Sequence, residues 1–496
     1  MTTANRAILA LDLGTTELKA GLVDLDGRLL AGTRAGYPLD VDGATGRAEE
    51  DPAAWWQAIG AAVGELLAES ATGRVADGAG SPPEVLAICV VGQGPTLVAV
   101  GADGEATRPA IVWLDRRPTS EASELALATG RSGWSLGILP AARWLERHEP
   151  AAAERTAWYL NAWEWVAFRL CGVAAATVSL GQEPLDRSRV AAAGIATERL
   201  PPQVASGTVV GGLLPAVAAA LGLAPGTPVV AGTVDSFASF HGAGLREPGE
   251  AIDTGGTSGG FAVYWDAPVE VSGTWLAHAP LADRWFLGGA MTSTGKALDW
   301  LGGSVLDGVP PERLIVEAAA VAPGAEGLLF LPYLAGERSP LWDPGARGAF
   351  IGLTLDHGHA HLARAVLEAA AFALRHVAAP ILAAGLRVDG MVVTGGTARS
   401  DAWNQIKADV LGVPVAVPAI LESAVLGAAI IGAAAVGGYG SLGEAIERMV
   451  RIGRRLDPVP ARRAVYDAAF AAYVDAWPAI APIVRRTRDV QQPGPT

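Results

Sequence analysis

Short apolar runs separated by glycine-rich turns open the chain. Ile8 to Leu11 predicts a strand, Gly14-Thr15-Thr16 is typical of a turn, and Lys19 to Val23 predicts a second strand. Further along, an apolar run ending at Val230 predicts another strand, and the acid Asp235 follows it within a stretch of small and apolar residues. By itself Asp235 is most simply interpreted as a helix cap.

Longer patterns between these strands predict a mixed α/β chain. Pro52 to Glu69 predicts a helix, and VLAICVVG, ending at Gly92, predicts a buried strand. We expect two further helices, around Trp134 to His148 and around Ala157 to Leu170.

The second half repeats the opening pattern. EAIDTGGTSGGFAVYW, from Glu250, again places a strand, an acid, a Gly-Thr turn and a second strand, so that Asp253 matches Asp12. With 496 residues, this repetition predicts two related α/β lobes, 1–244 and 245–484. We expect a flexible tail over 485–496.

Composition and charge exclude several classes. The net charge of −14 disfavours nucleic acid and anionic membranes as partners. Two cysteines, Cys89 and Cys171, lie among apolar residues, which indicates buried thiols rather than disulfides. The longest apolar run, 424–439, is too short to span a bilayer, and the N-terminus lacks a secretory pattern. We therefore expect a cytoplasmic protein.

Three segments look like binding motifs, but the residues around them do not fit a dinucleotide fingerprint, a P-loop or a zinc site. Gly438 to Gly443 matches G-x-G-x-x-G but follows a helix-like segment, and Gly295-Lys296 lacks the other P-loop residues. The histidines at 357, 359 and 361 are spaced by two, which does not converge on one helix face. They predict a polar helix start rather than a zinc site.

The first glycine-rich turn has the residue types that bind a phosphate. Gly14 permits close approach of a ligand to the backbone, and the hydroxyl and N–H groups of Thr15 and Thr16 can surround phosphate oxygens. Lys19 adds a positive charge, and Asp12 is suited to a metal-bound water because Mg²⁺ prefers carboxylate and phosphate oxygens.

Two more turns have similar chemistry. One is Asp253-Thr-Gly-Gly256-Thr257-Ser258, and the other is Gly395-Gly396-Thr397, which follows the apolar run ending at Val393 and precedes a helix. Phosphate-type turns in both lobes predict a nucleotide held in an interdomain cleft.

These three segments, in this order, resemble the FGGY family of carbohydrate kinases, of the actin/sugar kinase/Hsp70 superfamily. The resemblance covers roughly residues 6–480 and includes Trp113-Leu-Asp115-Arg116, the stretch from Leu329 to His357, and ESAVLGAAIIGAAAVGGY from Glu422. It implies an α/β fold of two actin-like, ribonuclease H-like lobes with a nucleotide and sugar cleft between them. It also implies ATP and Mg²⁺ as cofactors and is compatible with a homodimer.

The resemblance assigns roles on the nucleotide side. It implies that Thr15 and Thr16 line the phosphates with Asp12 near the magnesium, and that Thr257, beside Gly256, approaches the transferred group. Further contacts implied in the same way are Gly295 and Asp299 near the nucleotide, with Gly395, Gly396, Thr397 and Ser400 in the adenosine loop. Asp299 departs from the neutral residue that the family pattern favours.

On the sugar side the resemblance implies that Asp235 is the catalytic base, also near the metal. The implied substrate contacts are Gln93, Gly94, Trp113, Asp115, Arg116, Asp235 and Ser236. Two positions depart from the pattern: Ser236 replaces an amide, and Gln93-Gly-Pro95 replaces the Gln-Met-His of xylulokinases. Both departures bear on which hydroxyls the pocket can satisfy.

The resemblance therefore implies ATP-dependent phosphorylation of a ketopentose such as D-xylulose to its 5-phosphate. Kinases for another ketose or a polyol (erythritol, glycerol, ribulose) stay open as alternatives. So do a regulatory sugar-binding pseudokinase and an actin- or Hsp70-like ATPase, although the latter has no need for the acid at 235.

Overall fold

The computed structural model describes residues 6–71, 82–131, 133–178, 186–256, 259–279 and 284–491. The chain divides into two compact units. The first comprises Met1–Gly244, His278–Asp283 and Glu422–Val450, and the second comprises Leu245–Ala277, Arg284–Leu421 and Arg451–Thr496.

The strands of residues 6–244 are β1 Arg6–Leu13, β2 Glu17–Asp24, β3 Leu29–Gly36, β4 Asp40–Asp42, β5 Arg47–Glu50, β6 Glu84–Gly92, β7 Leu97–Gly101, β8 Ala110–Ile111, β9 Thr156–Asn161, β10 Ala176–Val178, β11 Gln203–Ala205, β12 Val209–Gly212 and β13 Pro228–Val234. The helices are α1 Pro52–Ala71, α2 Thr119–Thr129, α3 Leu139–His148, α4 Pro150–Glu154, α5 Ala162–Cys171, α6 Arg187–Ala192, α7 Pro215–Leu221 and α8 Asp235–Gly242, with a 3₁₀ helix over Gly133–Leu136.

The later strands are β14 Glu250–Asp253, β15 Gly260–Trp265, β16 Trp275–His278, β17 Trp285–Ala290, β18 Leu329–Leu331, β19 Ala349–Ile351, β20 Gly390–Val393, β21 Val415–Pro418 and β22 Ile452–Leu456. The later helices are α9 Thr294–Trp300, α10 Pro311–Ala319, α11 His359–Ala383, α12 Asp401–Leu411, α13 Ser423–Ala435, α14 Leu442–Met449 and α15 Arg463–Gln491.

The two main sheets repeat one strand arrangement. In the first unit the order is β12-β13-β6-β1-β2-β3, in which β1, β6 and β13 are parallel and β2, β3 and β12 run antiparallel to their neighbours. In the second unit the order is β16-β17-β15-β14-β20-β21-β22, with β14, β20 and β21 parallel. From β17 to β22 the strand directions are those of the first sheet read from β3 to β12. The weak repeat around Asp12 and Asp253 therefore corresponds to a duplicated topology, because each acid is among the last two residues of the first strand of its sheet.

The segment Glu422–Val450, which contains α13 and α14, belongs to the first unit although the chain before and after it belongs to the second. Two glycines make this possible: a Cβ on Gly242 of α8 would lie 1.9 Å from the Ser423 carbonyl oxygen, and one on Gly427 of α13 would lie 1.9 Å from the Ala238 carbonyl oxygen. The backbones of α8 and α13 thus touch. From sequence, all of 245–484 is assigned to the second lobe, but Glu422–Val450 belongs to the first unit. The burial of this segment depends on the close contact between α8 and α13.

Two further expectations from sequence differ from the structure. Thr156–Asn161 is a strand, β9, not the start of a helix, because it pairs antiparallel with β7 and carries strand-favouring aromatic residues. The last helix, α15, continues to Gln491, so residues 485–491 are helical rather than tail; 492–496 lie outside the described residues.

Helix α11 is the one helix within the described ranges with the length and composition to cross a membrane. Most of its apolar window is buried inside the protein, where its alanines and Leu367, Phe372 and Leu374 pack into the second unit's core. The helix begins at His359, as the histidine pattern predicts, and the His361 ring accepts a hydrogen bond from the Gly358 N–H at 3.2 Å. Across the described segments, no group of three or more His, Cys, Asp or Glu side chains is arranged to hold a metal ion.

Candidate active site

The carboxyl ends of three parallel strands bring Asp12, Gln93 and Asp235 to one edge of the first sheet. In the strand register Asp12 pairs with Val91 of β6, and Val234 pairs with Gly92, so the residues that follow lie side by side. The register of β13 shifts between Ala231 and Val234, an irregularity that re-aims the chain just before Asp235. Loops at this end of parallel strands are where α/β proteins place their ligands.

Asp12 and Asp235 form an electrostatically coupled pair of acids. Burial and the negative charge of Asp235 together raise the pKa of Asp12 to about 7, against the lowering effect of Lys19. Burial also raises the pKa of Asp235, against the lowering effects of the Ser236 N–H, which donates to Oδ1 at 2.6 Å, and of Lys19. The Asp12 Oδ1 atom is buried without a hydrogen-bond partner among the described residues. A cation at this place would relieve the repulsion and supply the missing partner.

The turn Gly14-Thr15-Thr16 is braced on two sides. The Tyr37 hydroxyl donates to the Gly14 carbonyl oxygen, and the Trp113 indole N–H donates to Thr15 Oγ1 at 3.0 Å. Thr16 is exposed, and Lys19 lies near Glu422, the residue before α13, with 3.7 Å between Nζ and the carboxylate. The structure therefore places all four predicted phosphate-side residues, with Asp12, around one turn of the first unit.

Gln93 has a partner that the sequence reasoning missed. Its backbone N–H donates to the Leu13 carbonyl at 2.8 Å, and its side-chain amide donates to Glu50 Oε2 at 2.7 Å. The same Glu50 oxygen accepts from the Trp55 indole at 2.8 Å, and burial raises the pKa of Glu50 to about 7. The sequence offers one signal for a buried acid here, the adjacent pair Glu49-Glu50 at the end of β5. Successive strand residues point to opposite faces, so one of the two acids is expected to face inward.

Gly94 follows Gln93 in sequence and Ser236 follows Asp235, but the two residues have different surroundings. A Cβ on Gly94 would lie 2.6 Å from the Trp163 ring, so this position needs glycine for packing and offers no side chain to a ligand. Ser236 is half-buried at the second position of α8, directly after Asp235.

Asp115 and Arg116 lie in the loop that follows β8. The Asp115 carboxylate accepts from the Ala48 N–H, from the Arg117 N–H and from the Arg117 guanidinium, at 2.6 to 3.0 Å. Arg116 is exposed and reaches the Gly43 carbonyl at 3.4 Å. Asp115 thus organises its own loop through Arg117, while Trp113, with 42% of its surface exposed, and Arg116 are accessible.

In the second unit, Asp253 is neutralised by a lysine that the sequence reasoning did not single out. Lys407, on α12, donates to Asp253 Oδ2 at 2.6 Å and to Thr397 Oγ1 at 2.9 Å, and both charged side chains are buried. Asp253 Oδ1 also accepts from the Gly255 N–H at 2.9 Å. Asp253 and Asp12 are topologically equivalent, but of these two described acids Asp12 is the one that retains an unpartnered oxygen.

The two glycine-rich loops of the second unit touch. Gly395 has a φ of 69°, and a Cβ there would lie 2.7 Å from the Thr254 carbonyl oxygen, while Gly396 faces open space. Ser400 caps α12 by accepting from the Trp403 N–H at 3.2 Å. Gly256 ends the described part of its turn, and the predicted contact Thr257 lies outside the described residues.

Gly295 and Asp299 lie on α9 of the second unit. Gly295 is half-buried near the helix start, and Asp299 is exposed one turn later. The described members of the sequence-predicted nucleotide residues of this unit thus occupy two touching loops and one helix.

Two units of one duplicated topology, each ending the first strand of its sheet with an acid and a glycine-rich turn, define the actin-like, ribonuclease H-like class of α/β proteins. Residues 7–242 match the N-terminal domain of the FGGY family of carbohydrate kinases, and residues 253–436 match its C-terminal domain. The chain therefore belongs to the FGGY family of carbohydrate kinases. It is an ATP-dependent kinase with a small sugar as substrate.

Similar proteins have several substrates in their names. The xylulose kinase of Bacillus subtilis (strain 168) is 30% identical over 493 residues, covering 95% of this chain and 96% of the relative. The gluconokinase of the same organism is 29% identical, covering 84% and 85%. The glycerol kinase of Gloeobacter violaceus is 31% identical, covering 93% and 96%.

Solved structures agree on the fold. A gluconate kinase from Lactobacillus acidophilus superposes with a TM-score of 0.84 at 26% identity, covering 96% of this chain and 99% of that one. A xylulose kinase from Rhodospirillum rubrum has a TM-score of 0.82 at 31% identity, covering 97% and 100%.

Proposed function

We propose that this kinase phosphorylates a ketopentose, with D-xylulose to its 5-phosphate as the leading reaction. Similarity to xylulose kinases over nearly the whole chain supports this substrate. Similar identity to gluconate and glycerol kinases keeps another ketose or a polyol such as ribulose, erythritol or glycerol as the second candidate.

The observation that carries the mechanism is the coupled pair Asp12 and Asp235 at one sheet edge. The Asp235 carboxylate lies at this sheet edge beside Asp12, so it is suited to accept the proton of the sugar hydroxyl as that hydroxyl attacks the γ-phosphorus of ATP. The bond to ADP breaks as the new P–O bond forms, and the proton leaves on Asp235. No covalent intermediate with a side chain is needed.

Asp12 and Asp235 are the side chains that would hold Mg²⁺, since Asp12 has an unpartnered carboxylate oxygen and the two acids repel each other. The ion would neutralise charge on the phosphates of ATP. Lys19 and the turn Gly14-Thr15-Thr16 orient those phosphates, and Gly256, Thr257, Gly295, Gly396 and Ser400 are the proposed nucleotide contacts of the second unit.

Coupled ADP-release assays across ketopentoses, ketohexoses, tetritols and glycerol test the substrate. We expect D-xylulose to give the largest kcat/KM, and a polyol or another ketose ranking first would replace it with the second candidate. If no sugar stimulates ADP release while sugars still bind, the protein is a sugar-binding pseudokinase. Light scattering tests whether the chain forms a homodimer, and cell fractionation tests the expected cytoplasmic location.

Asp235→Asn tests the catalytic base. We expect ADP release to fall by about 10²–10⁴-fold while the protein stays folded, because the amide keeps the shape but cannot take a proton. The unfolding temperature should not fall, since the amide also removes a charge that burial disfavours. Turnover at the wild-type rate in this variant would remove Asp235 from the mechanism. Ser239→Ala, on the same helix, is the matched control.

A further inference from the structure

Two buried side-chain oxygen atoms of the first unit, Glu50 Oε1 and Gln93 Oε1, have no hydrogen-bond partner among the described residues. Their side chains are almost fully buried, with exposures of 2% and 1%. The two residues already contact each other, because the Gln93 amide donates to Glu50 Oε2 at 2.7 Å. A buried acceptor without a donor costs free energy, so one proton shared between the two remaining oxygens would satisfy both.

A carboxyl group and a primary amide are complementary when the carboxyl is protonated. The acid then has one O–H donor and one accepting oxygen, and the amide has N–H donors and one accepting oxygen. The bond from Gln93 Nε2 to Glu50 Oε2 is one half of such a pair, and a bond from the Glu50 O–H to Gln93 Oε1 would complete it. An ionised carboxylate can only accept, so it would leave both oxygens without a donor.

The cations nearest to Glu50 in the strand β5 region bind its neighbour instead. Glu49 is paired with the guanidinium groups of Arg108 and Arg117. Asp51, on the other side of Glu50 in sequence, is exposed to solvent. An ionised Glu50 would therefore be a buried charge without a cation of its own, which is costly.

The other elements packed around Glu50 favour its neutral form. On β8, Ala110 lies opposite Glu50, and on α1 the Trp55 indole donates to Oε2 at 2.8 Å. Burial raises the pKa of Glu50 to about 7, against the lowering effects of its two donors. Tyr37, directly after β3, is the titratable side chain on which Glu50 acts: burial and then the charge of Glu50 raise the pKa of this tyrosine. The same tyrosine pKa is also raised by Asp12, Glu17 and Asp235.

The loop 93–95 connects the buried pair to the candidate active site. The Gln93 backbone N–H donates to the Leu13 carbonyl at 2.8 Å, one residue after Asp12. Pro95 lines a cavity of about 430 Å³ together with the predicted sugar contact Trp113, and this volume lies in the range of small-molecule pockets. A change in the position of Gln93 would therefore move the wall of this cavity.

We propose that the Glu50 carboxyl is protonated in the folded kinase, donates to Gln93 Oε1, and thereby positions the loop 93–95 for the sugar. Two hydrogen bonds between the same two planar groups fix the rotation of the amide, which one bond does not. Glu50 is thus a positioning residue, which acts on the substrate through the loop. The inference rests on the proposed function, because its kinetic effect is measured on a sugar.

The sugar KM of wild type and of Glu50→Gln, compared between pH 6 and pH 8.5, tests the positioning role. The sugar is the one that ranks first in the ADP-release assays. A glutamine imitates the protonated acid, because its N–H donates in place of the O–H and its oxygen still accepts. We expect equal KM values at pH 6. At pH 8.5 the wild-type KM should be about fivefold the higher, the effect of one net hydrogen bond, with a midpoint near pH 7 and the same kcat profile in both proteins.

The comparison isolates Glu50 because Asp12 and Asp235 titrate in both proteins and cancel in the ratio of KM values. Glu154→Gln makes the same substitution at an exposed glutamate of α4 and should keep the wild-type pH profile. A KM ratio that does not change with pH overturns the positioning role. A KM of Glu50→Gln already raised at pH 6 also overturns it, since that result is expected if a Glu50 oxygen accepts a sugar hydroxyl directly.

Infrared difference spectroscopy of wild type against Glu50→Gln detects the proton without any turnover. We expect wild type at pH 6 to have the C=O stretch of a protonated carboxylic acid that the variant lacks, and to lose it as the pH rises through about 7. Absence of this band at pH 6 overturns the inference and leaves the kinase reaction intact. If no sugar is turned over, the proposed function fails, and the dissociation constant of the sugar at the same pH values takes the place of KM. A chain that binds no sugar overturns the positioning role.

Discussion

The Lys407–Asp253 ion pair is buried inside the second unit, so removing its lysine should destabilise the fold. Lys407→Met leaves the Asp253 carboxylate buried without its cation, although the Gly255 N–H still donates to it. Removing one member of a buried ion pair costs about 3–5 kcal/mol, because the remaining charge has lost both water and partner. For a unit of this size we expect a decrease of about 10 °C in unfolding temperature.

A second variant separates charge from packing. In the double variant Asp253→Asn with Lys407→Met, the amide oxygen still accepts from the Gly255 N–H and no buried charge remains. We expect the double variant to recover most of the stability, within about 1 kcal/mol of wild type, since a buried pair is often replaceable as a whole. KM for ATP should stay raised in both variants, because the lysine also holds Thr397 of the adjacent glycine-rich loop.

Thermal unfolding of the full chain without nucleotide measures the change in stability, and steady-state kinetics with varied ATP measures the change in KM. The matched control for the unfolding measurement is Lys296→Met, which makes the same substitution at an exposed lysine on α9. Unfolding of Lys407→Met at the wild-type temperature, or a double variant as unstable as the single one, would refute the account of the buried charge.

Two further predictions concern the first unit. Glu50 has a pKa of about 7 in the folded state against an ordinary value of 4.5, so the fold loses stability as pH rises through 7. Glu50→Gln should therefore be more stable than wild type at pH 8, by about 3 kcal/mol at most, with the difference closing toward pH 4.5; urea unfolding across this range measures it. A stability difference between Glu50→Gln and wild type that does not change with pH would contradict the raised pKa of Glu50. Gly427→Val should lower the unfolding temperature sharply, because its Cβ would meet the Ala238 carbonyl at 1.9 Å. Gly443→Val on the exposed start of α14 is its control, and equal effects would disprove the close helix contact.

Local patterns determined the α/β class, the turns and the position of Asp235. Alternation of short apolar runs with glycine-rich turns is enough to predict β1, β2, β14 and β15, because each hairpin is a contact between neighbours in sequence. The resemblance carried by these turns and by the WLDR segment then led to the FGGY family, which the comparisons confirm.

Only the tertiary structure decided which acids have partners. Asp12 and Asp253 look alike in the sequence, but a lysine 154 residues away neutralises Asp253, while Asp12 faces Asp235 and Lys19. Likewise, the Gln93 side chain donates a hydrogen bond to Glu50, and the Asp115 carboxylate accepts one from the Arg117 guanidinium. Burial and partnership across long separations depend on how the sheets and helices pack. A local pattern places an acid at the end of a strand, and packing decides whether that acid is still available for chemistry.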